Sequence, residues 1–373
     1  MSIELGAGVY RTDSVMNDGR VIRYYDAGQV NRNAKDSRPT GQSAGIGELR
    51  LDPLVNEWVA VATHRQNRVF LPPKNLCPLC PTTNVDLATE IPDSSFEVVV
   101  FDNKNPALNS APSPWTLPDI DGPNTPTSLG VGKCEVIVFS DEHEGSLGSQ
   151  SLTRMRMVME AWIDRTREIS KLPNIVQVFP FENRGEEVGV TLGHPHGQIY
   201  AYSYFTPRTE SMLRAAEKYK AANGRVLFDD IVAREIKDKV RIVAENSDWI
   251  AFVPYAARYP FEIHIAPKKP AADLTELTSS QVDTFPSIAK EVFTRLDGLF
   301  GIEMPYMAGW HQAPVSTGRD LLRLHFQITS VRPAPGKLKY LAGSESMMGA
   351  FVMDKSPEQS AEELRSVRIE KAL

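Results

Sequence analysis

The chain has 373 residues, 42% of them hydrophobic and 24% charged, and its 41 Lys+Arg against 47 Asp+Glu leave a formal net charge of −6. That size and composition describe a soluble protein of two or three domains, and the acidic balance argues against a polyphosphate partner, so no nucleic-acid binding is expected. Met1-Ser2-Ile3-Glu4 lacks the basic and apolar regions of a secretion signal, and no segment approaches the roughly 18 apolar residues of a membrane span, so the expected location is the cytoplasm, with no membrane partner.

Residues 1–46 are rich in Asn, Asp, Arg and Gly, with few periodic apolar positions beyond Val21-Ile22, and read as a loosely packed arm. From residue 47, Glu48 to Pro53 and Glu57 to Ala62 alternate apolar and polar residues across a turn, the pattern of a hairpin. Phe96 to Phe101 and Cys134 to Phe139 are short β-branched runs between loops rich in Pro and Gly. Leu152, Met155, Val158, Met159, Trp162, Ile163, Ile169 and Leu172 then recur on one face, which predicts an amphipathic helix over 150–172. Val176 to Phe181 and Gly197 to Tyr202 read as further strands. Thr206-Pro207 opens a helix and Asn223-Gly224 stops it, and Ser356-Pro357 opens another through about Arg368.

The second half repeats the first in order. Glu135 to Phe139, a loop and the 150–172 helix match Glu262 to Ala266, a loop and the apolar positions Val282, Phe285, Ile288, Ala289, Val292, Phe293 and Leu296. Pro286 within that pattern predicts a kink or a late helix start. The strand ending in His196-Gly197-Gln198 matches the one ending in His325-Phe326-Gln327. The expected architecture is α+β: an N-terminal half over 47–203 and a C-terminal half over 204–373, each an antiparallel sheet with packed helices.

Gly193-His194-Pro195-His196-Gly197-Gln198 is the densest chemical signal. Pro195 fixes φ while Gly193 and Gly197 allow close backbone approach, so the loop suits an imidazole held rigidly. In an extended segment His194, His196 and Gln198 would share one surface, and a local turn would split them. An imidazole held at its other nitrogen by a carbonyl is a nucleophile toward phosphorus, and the amides of Gln198 and Asn183 can neutralise phosphoryl oxygens.

Cys77-Pro78-Leu79-Cys80 has the spacing of two thiolates on one metal. No second Cys-x-x-Cys exists, so a zinc ribbon is excluded, and His143 and His194 are the best candidates to complete a Cys₂His₂ set. A redox pair or two buried thiols is the alternative. Cys134, inside a strand, reads as core, and the odd cysteine count argues against a disulfide framework. Arg65 and Arg68, after His64, have the chemistry of a diphosphate clamp or of a solvated surface. Asn103 lies in an Asn-Lys-Asn-Pro turn and has the side chain to recognise a base or ribose, and Lys337 to Tyr340 before Ala342 to Glu345 is a sugar-phosphate contact or an exposed turn.

With Phe139-Ser-Asp-Glu-His143, Phe181-Glu-Asn183, Tyr259-Pro-Phe-Glu262, Met307-Ala-Gly-Trp-His311 and Ala342-Gly-Ser-Glu345, these stretches resemble the galactose-1-phosphate uridylyltransferases, a branch of the histidine triad superfamily. The resemblance spans the chain from about residue 47 and implies two tandem HIT-like halves, a homodimer, and ping-pong exchange of UMP between UDP-glucose and galactose 1-phosphate. It implies that His196 becomes uridylylated and Gln198 bonds the transferring phosphoryl group. Arg65, Arg68 and Asn183 would hold phosphates, Thr191 would stand in for a phosphate-binding serine, and Asn103 would lie at the uridine. Lys339, Tyr340 and Glu345 would reach the sugar in the partner subunit's site. Cys77, Cys80, His143 and His194 match structural zinc positions. A second metal site of the family would use His311 and His325, but Met212 and Gln327 replace its Glu and third His, so no second metal is expected. Ser344 and Phe351 stand where some members carry Tyr and Gln. The competing expectations are adenylyl transfer from ADP-glucose and a non-catalytic zinc-stabilised nucleotide-binding protein.

Overall fold

The computed structural model describes residues 2–39, 45, 47–67, 70–110 and 126–369. Three strands, β1 (Ser2–Gly6), β2 (Val9–Val15) and β3 (Val21–Ala27), form an antiparallel meander, so the N-terminal segment is part of the fold and not the loose arm expected. Its anchor is ionic: the Tyr25 hydroxyl donates to Asp164 at 2.7 Å and Arg11 donates to both oxygens of that carboxylate at 2.9 Å. Tyr24 and Tyr25 are buried.

The expected hairpin is β4 (Glu48–Asp52) and β5 (Glu57–Val61). Next come β6 (Val98–Asp102), β7 (Thr127–Leu129) and β8 (Gly132–Val138). Strands β5, β4 and β7 form a small sheet of their own. Helix α1 (Leu152–Ile169) follows, started by the Ser151 hydroxyl accepting from the Arg154 N–H. Then come β9 (Gln177–Arg184) and β10 (His196–Tyr202). Helix α2 (Pro207–Asn223) begins and ends as the Pro and Gly signals predict, with Gly224 at φ +68°. Helix α3 (Leu227–Asp238), absent from the sequence reading, follows it.

The second half has β11 (Ile242–Glu245), β12 (Trp249–Phe252) and β13 (Phe261–Pro267), then α4 (Ser279–Gly298). Helix α4 starts before Pro286, not after it, because Thr278 and Gln281 form a capping box two turns upstream. Strands β14 (Tyr306–His311) and β15 (His325–Ser330) and helices α5 (Gly343–Met348) and α6 (Pro357–Ser366) complete the chain.

One twelve-stranded antiparallel sheet runs β1-β2-β3-β6-β8-β10-β9-β14-β15-β13-β12-β11. The halves meet where β9 pairs with β14, from Tyr306↔Arg184 to Gly309↔Phe181. Helices α1 and α4 cover one face, and Trp162, Phe285, Trp310 and Phe326 form the aromatic centre of the shared core. Within that core Arg165 and Glu135 pair in two hydrogen bonds of 2.8 and 2.9 Å. The other face of the sheet carries the chemistry.

Candidate active site and metal centre

Strand β10 alternates as a half-buried strand should. Gly197, Ile199 and Ala201 are buried, with Ile199 and Ala201 in the core beside α1, while His196, Gln198, Tyr200 and Tyr202 face the opposite side. Gly197 is required by close packing, since a Cβ there would lie 2.7 Å from the Phe181 carbonyl oxygen and 3.0 Å from the Phe139 ring. Gly197 is registered against Glu182 on β9, which sets Asn183 next to His196 across the strands.

The His-Pro-His loop splits its two imidazoles, the second of the two outcomes open to it. The His196 Nδ1 lies 2.7 Å from the His194 carbonyl oxygen. A carbonyl only accepts, so Nδ1 carries the proton and Nε2 keeps its lone pair. Burial pushes the His196 imidazole below its ordinary value, opposed by that carbonyl, so the ring is neutral at pH 7. His194 turns the other way. It is buried, its Nε2 lies 2.8 Å from the Ser140 carbonyl oxygen, and its Nδ1 lone pair faces Cys77 and Cys80 at 3.9 and 3.5 Å. His143 Nδ1 lies 3.4 Å from Cys80 Sγ.

These four ligand atoms lie within 4.8 Å of one another. Metal–sulfur bonds of about 2.3 Å and metal–nitrogen bonds of about 2.0 Å give tetrahedral edges of roughly 3.3–3.8 Å, so the donors already stand near the corners of one coordination sphere. The chemistry agrees with a cation at the centre. Burial and the adjoining Cys77 push the Cys80 thiol up to about 12, and burial lowers His194 to about 4 and His143 below its usual value. Two neutral imidazoles beside a thiol that resists ionisation without a counter-charge, with a second thiol adjoining, fit a divalent metal, and the Ser140 carbonyl fixes the ligating tautomer of His194. Cys134 stays apart, in a cluster with Leu49, Leu108 and Tyr204, as the sequence indicated.

Arg65 lies in the 3₁₀ turn Thr63–Asn67 and donates to the Tyr200 hydroxyl at 3.3 Å, which brings it to the His196 face of β10. Tyr200 is a contact the sequence reading missed; its signal was strand alternation, two residues beyond Gln198. Arg68 lies outside the described residues. Thr191 accepts from the Leu71 N–H through its carbonyl at 2.8 Å, and Asn103 follows β6 directly, its N–H donating to the Cys134 carbonyl at 2.9 Å. Lys339 and Glu345 pair at 2.8 Å, and Glu345 caps α5 through the Ala342 N–H, while Tyr340 is exposed. No hydrogen bond or ring contact among the described residues joins these three to β10. Their segment instead rests Phe351 on Tyr259, and a groove of about 650 Å³ is lined by both Phe351 and Asn183.

The pattern of the chain and this geometry agree with sequence and structure comparisons. Two family models, the N-terminal and C-terminal domains of galactose-1-phosphate uridyl transferase, match residues 42–206 and 212–372. The chain belongs to the galactose-1-phosphate uridylyltransferase family. A galactose-1-phosphate uridylyltransferase of Streptomyces lividans is 37% identical over 96% of this chain and 98% of its own. A solved uridylyltransferase structure superposes with a TM-score of 0.75 at 31% identity, covering 86% of this chain and 98% of that one. An Arabidopsis thaliana ADP-glucose phosphorylase shares the fold, with a TM-score of 0.66 at 22% identity over 87% of this chain and 99% of that one.

The second half carries the echo of this family site. His325 Nδ1 lies 3.1 Å from the carbonyl oxygen two residues upstream, as in His196, and Gln327 follows two residues later. His325 stacks on His311 with ring centres 4.9 Å apart and lies 5.0 Å from His264. Gln327 donates to Glu262 at 2.8 Å, and His264 Nε2 lies 3.2 Å from the same oxygen. Met212 lines the cavity beside them. The side-chain amide at 327 is thus engaged by hydrogen bonding within the protein.

Proposed function

We propose that the protein exchanges UMP between UDP-glucose and galactose 1-phosphate through a covalent uridylyl-histidine at His196. The observation that carries this reading is the 2.7 Å bond from Nδ1 to the His194 carbonyl, which leaves Nε2 as a neutral nucleophile beside Gln198 and Asn183. In the first displacement Nε2 bonds to the phosphorus bearing the uridine, and the bond to the bridging oxygen breaks, so glucose 1-phosphate leaves with that electron pair. In the second, a phosphate oxygen of galactose 1-phosphate takes the UMP and the P–N electron pair returns to Nε2. The amide groups of Gln198 and Asn183 donate to the non-bridging oxygens as charge develops there, and Arg65, with Arg68 and Thr191, holds the remaining phosphate oxygens. Asn103 takes the uridine.

We assign zinc to Cys77, Cys80, His143 and His194. Bound there, it supplies a structural cross-link between the Cys loop and the His-Pro-His loop. Lys339, Tyr340 and Glu345 serve the sugar end in a homodimer, a role supported by exposure of Tyr340, Met347 and Met348 on one short segment. Cytoplasmic location fits phosphorylated sugar substrates.

Incubation with UDP-glucose alone, followed by intact mass measurement, tests the reading. A UMP adduct that galactose 1-phosphate removes is expected, absent from His196→Ala, which should fold and still bind zinc. An adduct from ADP-glucose only would shift the assignment to adenylyl transfer, and none from either would leave a nucleotide-binding protein.

A further inference from the structure

The N-terminal residues before 42 lie outside the matched family models, yet they reach the nucleoside end of the site. Strand β3 pairs along β6 from Ile22↔Phe101 to Tyr25↔Val98, and β6 ends at Asp102, one residue before Asn103. The turn that leads into β3 carries Arg20. Its Nη1 donates to the Asp102 carbonyl at 2.9 Å, its Nε and Nη2 donate to Asp18 at 2.9 and 2.7 Å, and Nη2 also reaches Glu90. Glu90 belongs to the cysteine loop, where its N–H donates to the Pro78 carbonyl at 3.0 Å, and it pairs with Arg38 as well. One guanidinium of the N-terminal segment therefore ties the peptide before Asn103 to the loop that bears Cys77 and Cys80.

Beside this tie lies a cavity of about 480 Å³ lined by Gly19, Arg20 and Arg38 of the N-terminal segment together with Asn103, Lys104 and Leu108. The Asn103 side-chain oxygen accepts from the Asn105 N–H at 2.9 Å, which fixes the amide plane and leaves its NH₂ without a protein partner among the described residues. A planar guanidinium can hold two carboxylates and a carbonyl at once in fixed directions, and an ammonium cannot reproduce that fork.

We propose that Arg20 is a positioning residue for nucleoside recognition: acting through the Asp102 peptide it sets Asn103, and the N-terminal segment is the outer wall of the nucleoside cavity. The proposal rests on the assignment of Asn103 to the uridine made above. Loss of the tie leaves the peptide before Asn103 held only on its N–H side, by the Cys134 carbonyl, so its plane can tilt, weakening UDP-glucose binding while leaving the chemistry at His196 and the sugar-phosphate acceptor untouched.

Steady-state kinetics on the full chain test it with Arg20→Gln, Arg20→Lys, Asn103→Ala and the control Arg32→Gln. Arg32 lies in the same segment and bonds Asp26 and the Ser95 carbonyl, but does not touch Asp102. Arg20→Gln should raise KM for UDP-glucose about tenfold, the loss of roughly one hydrogen bond to the ground state, with kcat and KM for galactose 1-phosphate unchanged. Arg20→Lys, which keeps the charge beside Asp18 and Glu90, should show the same KM change at unaltered stability. Combined with Asn103→Ala, Arg20→Gln should add little. If Asn103→Ala leaves KM for UDP-glucose unchanged, the uridine assignment fails and takes the proposal with it. Arg32→Gln should leave both KM values unchanged; if Asn103→Ala raises KM but the Arg20 variants do not, or if the Arg20 variants perturb both substrates, or if Arg32→Gln raises KM for UDP-glucose as much as they do, the positioning role alone is overturned.

Discussion

Glu182 directly precedes Asn183 on β9, and replacing it with glutamine isolates one electrostatic contribution to this fold. Its carboxylate is buried, accepts from the Leu147 N–H at 3.0 Å and from the Tyr306 hydroxyl at 2.8 Å, and so joins β9 to the turn before α1 and to β14 of the second half. Burial pushes its pKa from 4.5 up to about 7, with the two hydrogen bonds opposing. The native state therefore holds this proton more tightly than the unfolded chain does. Stability is highest below pH 4.5, falls as pH rises between 4.5 and 7, and levels off above, by about 3 kcal/mol for a shift of this size at roughly 1.4 kcal/mol per unit. Glu182→Gln keeps an acceptor for Leu147 and removes the titration. Urea unfolding at pH 5 and pH 8, with zinc held constant, should show the variant gaining about 3 kcal/mol relative to wild type between the two pH values. A constant difference between the two proteins across that range would refute the argument that burial dominates at this carboxylate.

The remaining predictions concern the metal, the strand packing and the core ion pair. Cys80→Ser should lose bound zinc, measured by elemental analysis of the purified chain, together with thermal stability; full metal content in the variant would overturn the Cys₂His₂ assignment. Gly197→Ala should destabilise by about 1–3 kcal/mol and lower activity, because the Phe181 carbonyl cannot recede without shifting β9, whereas Gly193→Ala, with nothing within 4 Å of its Cβ, should be nearly silent in the same melts. Arg165→Ala leaves Glu135 only the 3.6 Å contact with Arg23 and should cost up to about 3 kcal/mol in denaturant titration, and recovery in the double variant Arg165→Met/Glu135→Leu would show that the loss is the poorly compensated charge.

Part of the fold comes from residues that carry no local signal. Arg11 and Asp164 are 153 positions apart, and β2 reads as polar because its alternation is spent on that contact and on an edge strand. The N-terminal strands were therefore hidden from periodicity, which sees apolar faces only. Helix α3 did carry a local signal, since Leu227, Phe228, Ile231, Val232 and Ile236 recur at helical spacing and Phe228, Val232 and Ile236 pack on Ile250 and Phe252. Pro286 misled because a capping box outweighs one lost hydrogen bond in the third turn of a long helix. Tyr200 and Ser140 act through a hydroxyl and a carbonyl that any residue of similar kind supplies, so neither stands out in the chain.

Sequence by itself determined the strands and helices with strong periodicity, the doubling of one half into two, the His-Pro-His-Gly-Gln loop and the Cys-x-x-Cys pair, because each is written within about twenty residues. Tertiary structure decided which imidazole does what. The Ser140 carbonyl turns His194 toward the cysteines through a hydrogen bond that forms only when β8 and β10 lie side by side, and in the loop so held the His194 carbonyl locks the tautomer of His196. It also decided that the N-terminal segment belongs to the main sheet, since strand pairing with β6 brings Arg20 against a peptide 82 residues away.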